Sequence, residues 1–178
     1  MKYLEELNKS MDWLGQQEKV LFLGQSCLYP GTALFNTLKE VPKEKIIETP
    51  VFEDSQIGMS IGLSLGGFIP LNLMPRFNFT LLACNQIVNH LDKYIDMSDR
   101  QYIPKVIIRT VIGSENPLFP GHQHIGDFSQ SIQLMCKNIE VIRLDGPEQI
   151  FLSYQKAYER TDDKSTILVE WGDRYSSK

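Results

Sequence analysis

The chain is poor in cysteine and has neither a basic cluster nor a long hydrophobic run; each lack excludes a class of function. Cys27, Cys84 and Cys136 lie more than fifty residues apart, and no Cys-x-x-Cys pair occurs. The usual thiolate zinc frameworks are therefore excluded. An odd, scattered set suits a reducing compartment and reads as small core or near-core residues. The formal net charge is −4, so nucleic acid is not an expected partner. The longest apolar stretch, residues 57–73, is broken by Ser60, Ser64, Pro70, Asn72 and several glycines. It falls short of the roughly 20 apolar residues that cross a bilayer. The opening MKYLEELNKSMDWLG is charged throughout and has no apolar centre, unlike a signal peptide. A cytoplasmic protein with no membrane span and no metal site of its own is expected.

What is present is an ordinary soluble composition, 42% hydrophobic and 22% charged, in 178 residues. That length suits one domain with one sizeable core. Leu4, Leu7, Met11 and Leu14 recur at helical spacing and predict an amphipathic helix over 2–16. Residues 19–23 form a short apolar run, read as a buried strand, and 24–31 (GQSCLYPG) have turn chemistry. Thr32 can cap a short helix carrying Leu34, Phe35 and Leu38. A second strand, 45–47, runs into Thr49 and Pro50, and Glu53 opens a helix with Gly58, Gly62 and Gly66 at four-residue spacing. A strand over 68–74 follows. Residues 77–97 read as the longest helix, with Leu81, Cys84, Ile87, Val88, Leu91 and Ile95 on one face. Residues 105–111 form the clearest strand, apolar nearly throughout. The Gly/Pro-rich loop over 112–125 is long for a compact domain, and such loops are often functional. A helix over 127–137, a strand over 139–144, a helix from Pro147 to about 161 and a strand over 166–171 complete the pattern. The remaining polar tail, 173–178, is expected to fray.

Strands alternating with helices predict a three-layer α/β fold, with a mostly parallel six-stranded sheet covered on both faces. Ligands bind such sheets beyond the carboxyl ends of the strands. The rule brings the 24–31 loop, the Glu53 turn, the 75–79 turn and the 112–125 loop to one edge.

The runs TPVFEDSQIGMSIGLSLGGFIPLNLMPRFNF, NQIVNHLDKYIDMS, PKVIIRTVIG and PGHQH resemble the β subunit of the thiamine-diphosphate-dependent first component of 2-oxoacid dehydrogenases. More broadly they resemble the pyrimidine-binding domain of the transketolase superfamily. The resemblance implies such a domain over 1–172. It implies that Glu53 is both catalytic and cofactor-binding: a glutamate after Thr-Pro-x-x bonds a ring nitrogen of the aminopyrimidine and activates the cofactor. A carboxylate in a poorly hydrated pocket suits that proton sharing. The residue pattern alone more readily fits a carboxylate placed at a helix N-terminus by the macrodipole, and the family match reverses that preference. Phe79 aligns with the aromatic that packs on the aminopyrimidine; Phe77 reads as core. His124 aligns with a histidine beside the substrate, catalytic or carboxylate-binding. His122, also placed with the substrate, replaces the family's proline. The pair His122-x-His124 lacks a third partner for a metal. His90 reads as a surface or interface residue, and the glycine stripe as a face that packs against a partner domain.

The family's Gly-Asp-Gly motif for diphosphate and magnesium does not occur. The resemblance then implies an α-type partner subunit that holds the diphosphate and most of the magnesium site, in a heterotetramer, with a homodimer expected for the chain alone. The resemblance also leads to the expectation of a chain without the family's C-terminal domain. The expected activity is decarboxylation of a 2-oxo acid, or transfer of a two-carbon or acyl unit from a 2-oxo acid or ketose. The alternative is a non-catalytic scaffold or regulatory subunit that kept the fold. Asp54, Ser55, Pro75 and Arg76 depart from the family pattern. Arg76 could contact a substrate anion, but reads more simply as a solvent-facing loop residue.

Overall fold

The computed structural model describes residues 2–116 and 118–176. Six strands form one sheet in the order β2-β1-β3-β4-β6-β5. They are β1 (Val20–Gly24), β2 (Ile46–Glu48), β3 (Ile69–Met74), β4 (Ile107–Ile112), β5 (Ile139–Arg143) and β6 (Ser165–Trp171). Every pairing is parallel. The register sets Gly24 beside Leu73, Met74 beside Thr110 and Ile112 beside Trp171, so the central carboxyl ends form one edge.

Both faces are covered, as the alternation of elements predicts. Helices α1 (Tyr3–Gly15), α2 (Ala33–Asn36) and α6 (Pro147–Glu159) lie on one face. Leu7, Met11 and Leu14 pack there with Ile150, Tyr154 and Ala157 over Phe22, Leu71 and Leu168. Each such aliphatic side chain contributes about 1.5–3 kcal/mol by burial, which makes α1 an integral part of the core. On the other face, Ile57 and Ile61 of α3 (Glu53–Leu65) and Ile132 of α5 (Ser129–Met135) cover Ile108, Ile167 and Val169. Within β6, Ile167 and Val169 face one cluster and Leu168 the other, the two-residue period of a strand. Thr32 caps α2 as expected, accepting from the Phe35 N–H at 3.0 Å.

Two elements differ from expectation. Residues 77–97 are not one helix but a 3-10 turn (Phe77–Leu81), a π turn (Gln86–Leu91) and a short α4 (Tyr94–Met97). Besides Phe77, Thr80 and Asp92, the buried residues are Ala83, Ile87, Leu91 and Ile95, an apolar series recurring every four residues, whereas Leu81 is 46% exposed. Four-residue spacing drifts round a helix of 3.6 residues per turn. The wider π turn, with the Asp92 N–H donating to Ile87 O at 3.0 Å, keeps those residues on the core. The second difference is the tail, which does not fray through Ser176. Gly172–Ser176 form a 3-10 turn, and the Tyr175 hydroxyl donates to the buried carboxylate of Glu170. Ser177 and Lys178 lie outside the described residues.

Candidate functional site

The chain turns in opposite directions at the ends of β1 and β3: β1 leads to β2 on one side, β3 to β4 on the other. Such a reversal opens a crevice between neighbouring strand ends. A cleft of about 720 Å³ lies there. Gln25 and Ser26 follow β1, Val51 precedes α3, Pro75, Arg76 and Phe79 follow β3, and Ser114, Asn116 and His124 follow β4. All four predicted loops therefore contribute. Tyr175 closes the rim.

Glu53 begins α3 and is 4% exposed. This is not the solvated carboxylate of an ordinary helix start. Its Oε1 accepts from Gln25 Nε2 at 3.3 Å, a long hydrogen bond, and no cation pairs with it among the described residues. Gln25 is itself buried, and its Oε1 has no partner among the described residues. Glu53 does not line the cleft; it lies one hydrogen bond behind it, through Gln25. A buried carboxylate and a buried amide oxygen, both short of partners, leave hydrogen-bonding capacity for a ligand.

Phe79 and His124 come together, their rings edge-to-face with centroids 5.6 Å apart. Both line the cleft, and the buried Nδ1 of His124 has no partner among the described residues. Two glycines hold His124 there. Gly121, at φ +97°, opens the His122–His124 turn in a conformation that side chains disfavour. The Gly113 N–H donates to His124 O at 3.1 Å, where a Cβ on residue 113 would fall 2.1 Å from that oxygen. Phe77 is fully buried and packs edge-on against Phe128, as a core residue. His122 is exposed, packs against Phe119 and is not among the cleft-lining residues. His90 is half-buried on the π turn. The glycine stripe does not face the sheet: Ile57, Ser60 and Ile61 do, while Gly62 has nothing within 4 Å of a would-be Cβ.

Gln25, the partner of Glu53, belongs to a run read from sequence only as turn chemistry. A polar residue at the carboxyl end of a central parallel strand is the signal that could have found it. Its loop is fixed by Glu48 at the end of β2. The N–H groups of Ser26, Cys27 and Leu28 donate to that carboxylate at 2.6, 2.7 and 2.8 Å, with Ser26 at φ 59°. Burial, reinforced by the charge of Glu48, pushes the Cys27 thiol up to about 12. Cys27 is thus a packed thiol at neutral pH and no nucleophile. Tyr175 was missed because it sits in a run that looks polar.

No protein-family model matches the chain. The 3-methyl-2-oxobutanoate dehydrogenase subunit beta of Mycobacterium tuberculosis is 24% identical over 147 residues, 78% of this chain and 40% of that protein. The mitochondrial pyruvate dehydrogenase E1 component subunit beta of Bos taurus is 32% identical over 98 residues, 53% of this chain and 27% of that protein. The chain thus spans 40% or less of the length of these relatives. Among solved structures, an inactive beta4 tetramer of a split-gene transketolase superposes with a TM-score of 0.72 at 20% identity, over 94% of this chain and 50% of that one. Transketolase from Campylobacter jejuni gives 0.70 at 14% identity, over 94% and 25%. The parallel sheet and the sequence relatives agree: the chain is a homologue of the β subunits of 2-oxoacid dehydrogenases, and its fold is one found in transketolases.

Proposed function

We propose that this chain is the β-type subunit of a thiamine-diphosphate-dependent enzyme acting on a 2-oxo acid or a ketose. The observation that carries the reading is Glu53: buried one hydrogen bond behind the cleft, with no cation paired to it among the described residues and one long hydrogen bond, to Gln25. The residues present fit an aminopyrimidine. Glu53 offers a carboxyl for a ring nitrogen, Gln25 a buried amide oxygen without a partner, and Phe79 an aromatic surface in the same cleft. When bound, the cofactor supplies the nucleophilic carbon for attack on a 2-oxo group. Glu53 shares a proton with its ring, Phe79 helps to orient it, and His124 stands where it can bind the substrate or pass it a proton. Among the described residues no cluster of three acidic, histidine or cysteine side chains could hold a metal. The Gly-Asp-Gly run that the family uses for diphosphate and magnesium does not occur in this sequence, so we assign both to an α-type partner chain.

The test is Glu53→Gln in the enzyme assembled with that partner. Turnover of a 2-oxo acid should fall by about 10²–10⁴-fold, the usual size of a lost proton-transfer group. Full turnover by the variant would sink the proposal. Calorimetry should show thiamine diphosphate and magnesium binding to the two chains together and not to this chain alone.

A further inference from the structure

We infer that Arg76 is the anion-binding residue of the cleft, holding a carboxylate or phosphate group of the substrate; this rests on the reading of the cleft as a substrate site. Arg76 stands in the turn after β3 and is half-buried, not solvent-facing. Its guanidinium makes no hydrogen bond or ion pair among the described residues. The contrast within the chain is sharp. Arg100, Arg109, Arg143 and Arg160 each meet a carboxylate.

The surroundings favour an anion. The chain carries 22 Asp and Glu against 18 Lys and Arg, yet no Asp or Glu is among the residues that line the cleft. The space is also shaped for the guanidinium. A Cβ on Gly113 would lie 3.1 Å from Arg76 Nη1, so residue 113 as glycine leaves that group its place. The same glycine holds His124, which also lines this cleft and whose buried Nδ1 has no partner among the described residues. A partly desolvated cation without a counter-charge is unfavourable. A bound anion removes that penalty, and the planar fork of arginine suits the two oxygens of a carboxylate or phosphate.

The experiment needs neither cofactor nor partner. Inorganic phosphate and pyruvate are titrated separately into the ¹⁵N-labelled full chain in chloride-free buffer, and the Arg76 Nε–H signal is followed. Saturable shifts at Arg76 and Gly113 are expected with at least one of the two anions. The tighter of the two identifies the group the site takes. Arg76→Gln should weaken that binding at least tenfold while signals elsewhere stay in place, and Arg76→Lys should keep part of it. Absence of saturation with both anions, or equal affinity in Arg76→Gln, overturns the assignment. Anion binding lost on Arg76→Gln sustains it even if Glu53→Gln keeps full turnover, a result that sinks only the thiamine-diphosphate reading.

Discussion

Glu170 and Glu53 are both buried carboxylates near the carboxyl edge of one sheet, at 0% and 4% exposure, and their surroundings are opposite. Glu170 takes Arg109 on both oxygens, Nε at 2.7 Å and the second terminal nitrogen at 3.1 Å. The hydroxyl of Tyr154 donates at 2.6 Å and that of Tyr175 from the C-terminal turn. Arg109 is closed off in turn by Thr37 Oγ1 at 2.7 Å. Burial works against the charge on Arg109, and the adjoining Glu170 overcomes it, so its pKa ends well above the ordinary arginine value. Burial, and then Glu170, hold Tyr154 neutral as a donor. Glu53 has one amide at 3.3 Å. The difference separates a carboxylate that completes a fold from one left open to a ligand. Burial alone does not mark a site; burial with unfilled hydrogen-bonding capacity does.

The largest expected effect breaks the filled side. Arg109→Leu leaves Glu170 buried without its cation and should lower stability by about 3–5 kcal/mol, read from urea unfolding. Adding Glu170→Leu removes the stranded charge and should recover much of that loss. A single variant as stable as wild type would mean that the pair is not the buried lock described here.

The open side should respond differently. Glu53→Gln sacrifices only one long hydrogen bond, and its amide can still face Gln25. Its unfolding free energy should stay within about 1 kcal/mol of wild type. A loss as large as that of Arg109→Leu would make Glu53 a second structural anchor and erase the contrast with Glu170.

The two glutamates also differ in how legible they are. Glu53 is readable because it stands at a strand-to-helix junction within a recognisable run, and the parallel-sheet rule gathers its neighbouring loops without any contact being known. The Arg109–Glu170 pair is hidden in KVIIRTV and TILVEW, which read as apolar strands. An arginine inside one such run and a glutamate inside the other are a faint signal, and only the β4–β6 pairing makes them neighbours: Val111 lies beside Glu170 and Arg109 beside Leu168. Arg76 is ambiguous for a similar reason, since local sequence cannot tell a solvent-facing turn from the wall of a cleft. The break in residues 77–97 escapes because a four-residue apolar spacing is close enough to 3.6 to pass for an α-helix.

Asp162 sharpens the comparison from a third direction, with good partners but little burial. Arg160 reaches it through Nε at 2.7 Å and a terminal nitrogen at 2.8 Å, the same two-pronged geometry that Glu170 enjoys. The Arg160 hydrogen bonds lower its pKa from the ordinary 3.8 to about 2, against the opposing effect of burial. A lowered carboxyl pKa stabilises the fold above the unfolded value, and the contribution fades as pH falls from about 4 through 2. The Asp162 side chain is 56% exposed, so water screens the pair. Asp162→Asn should therefore destabilise the protein by only about 0.2–1 kcal/mol at pH 7, and the difference from wild type should vanish near pH 2. Thermal melts of both proteins across that range supply the check. A difference that persisted unchanged at pH 2 would place the effect in packing or neutral hydrogen bonds rather than in charge. If it closes as expected, equal geometry has given unequal energy, and burial accounts for the gap between this pair and Arg109–Glu170.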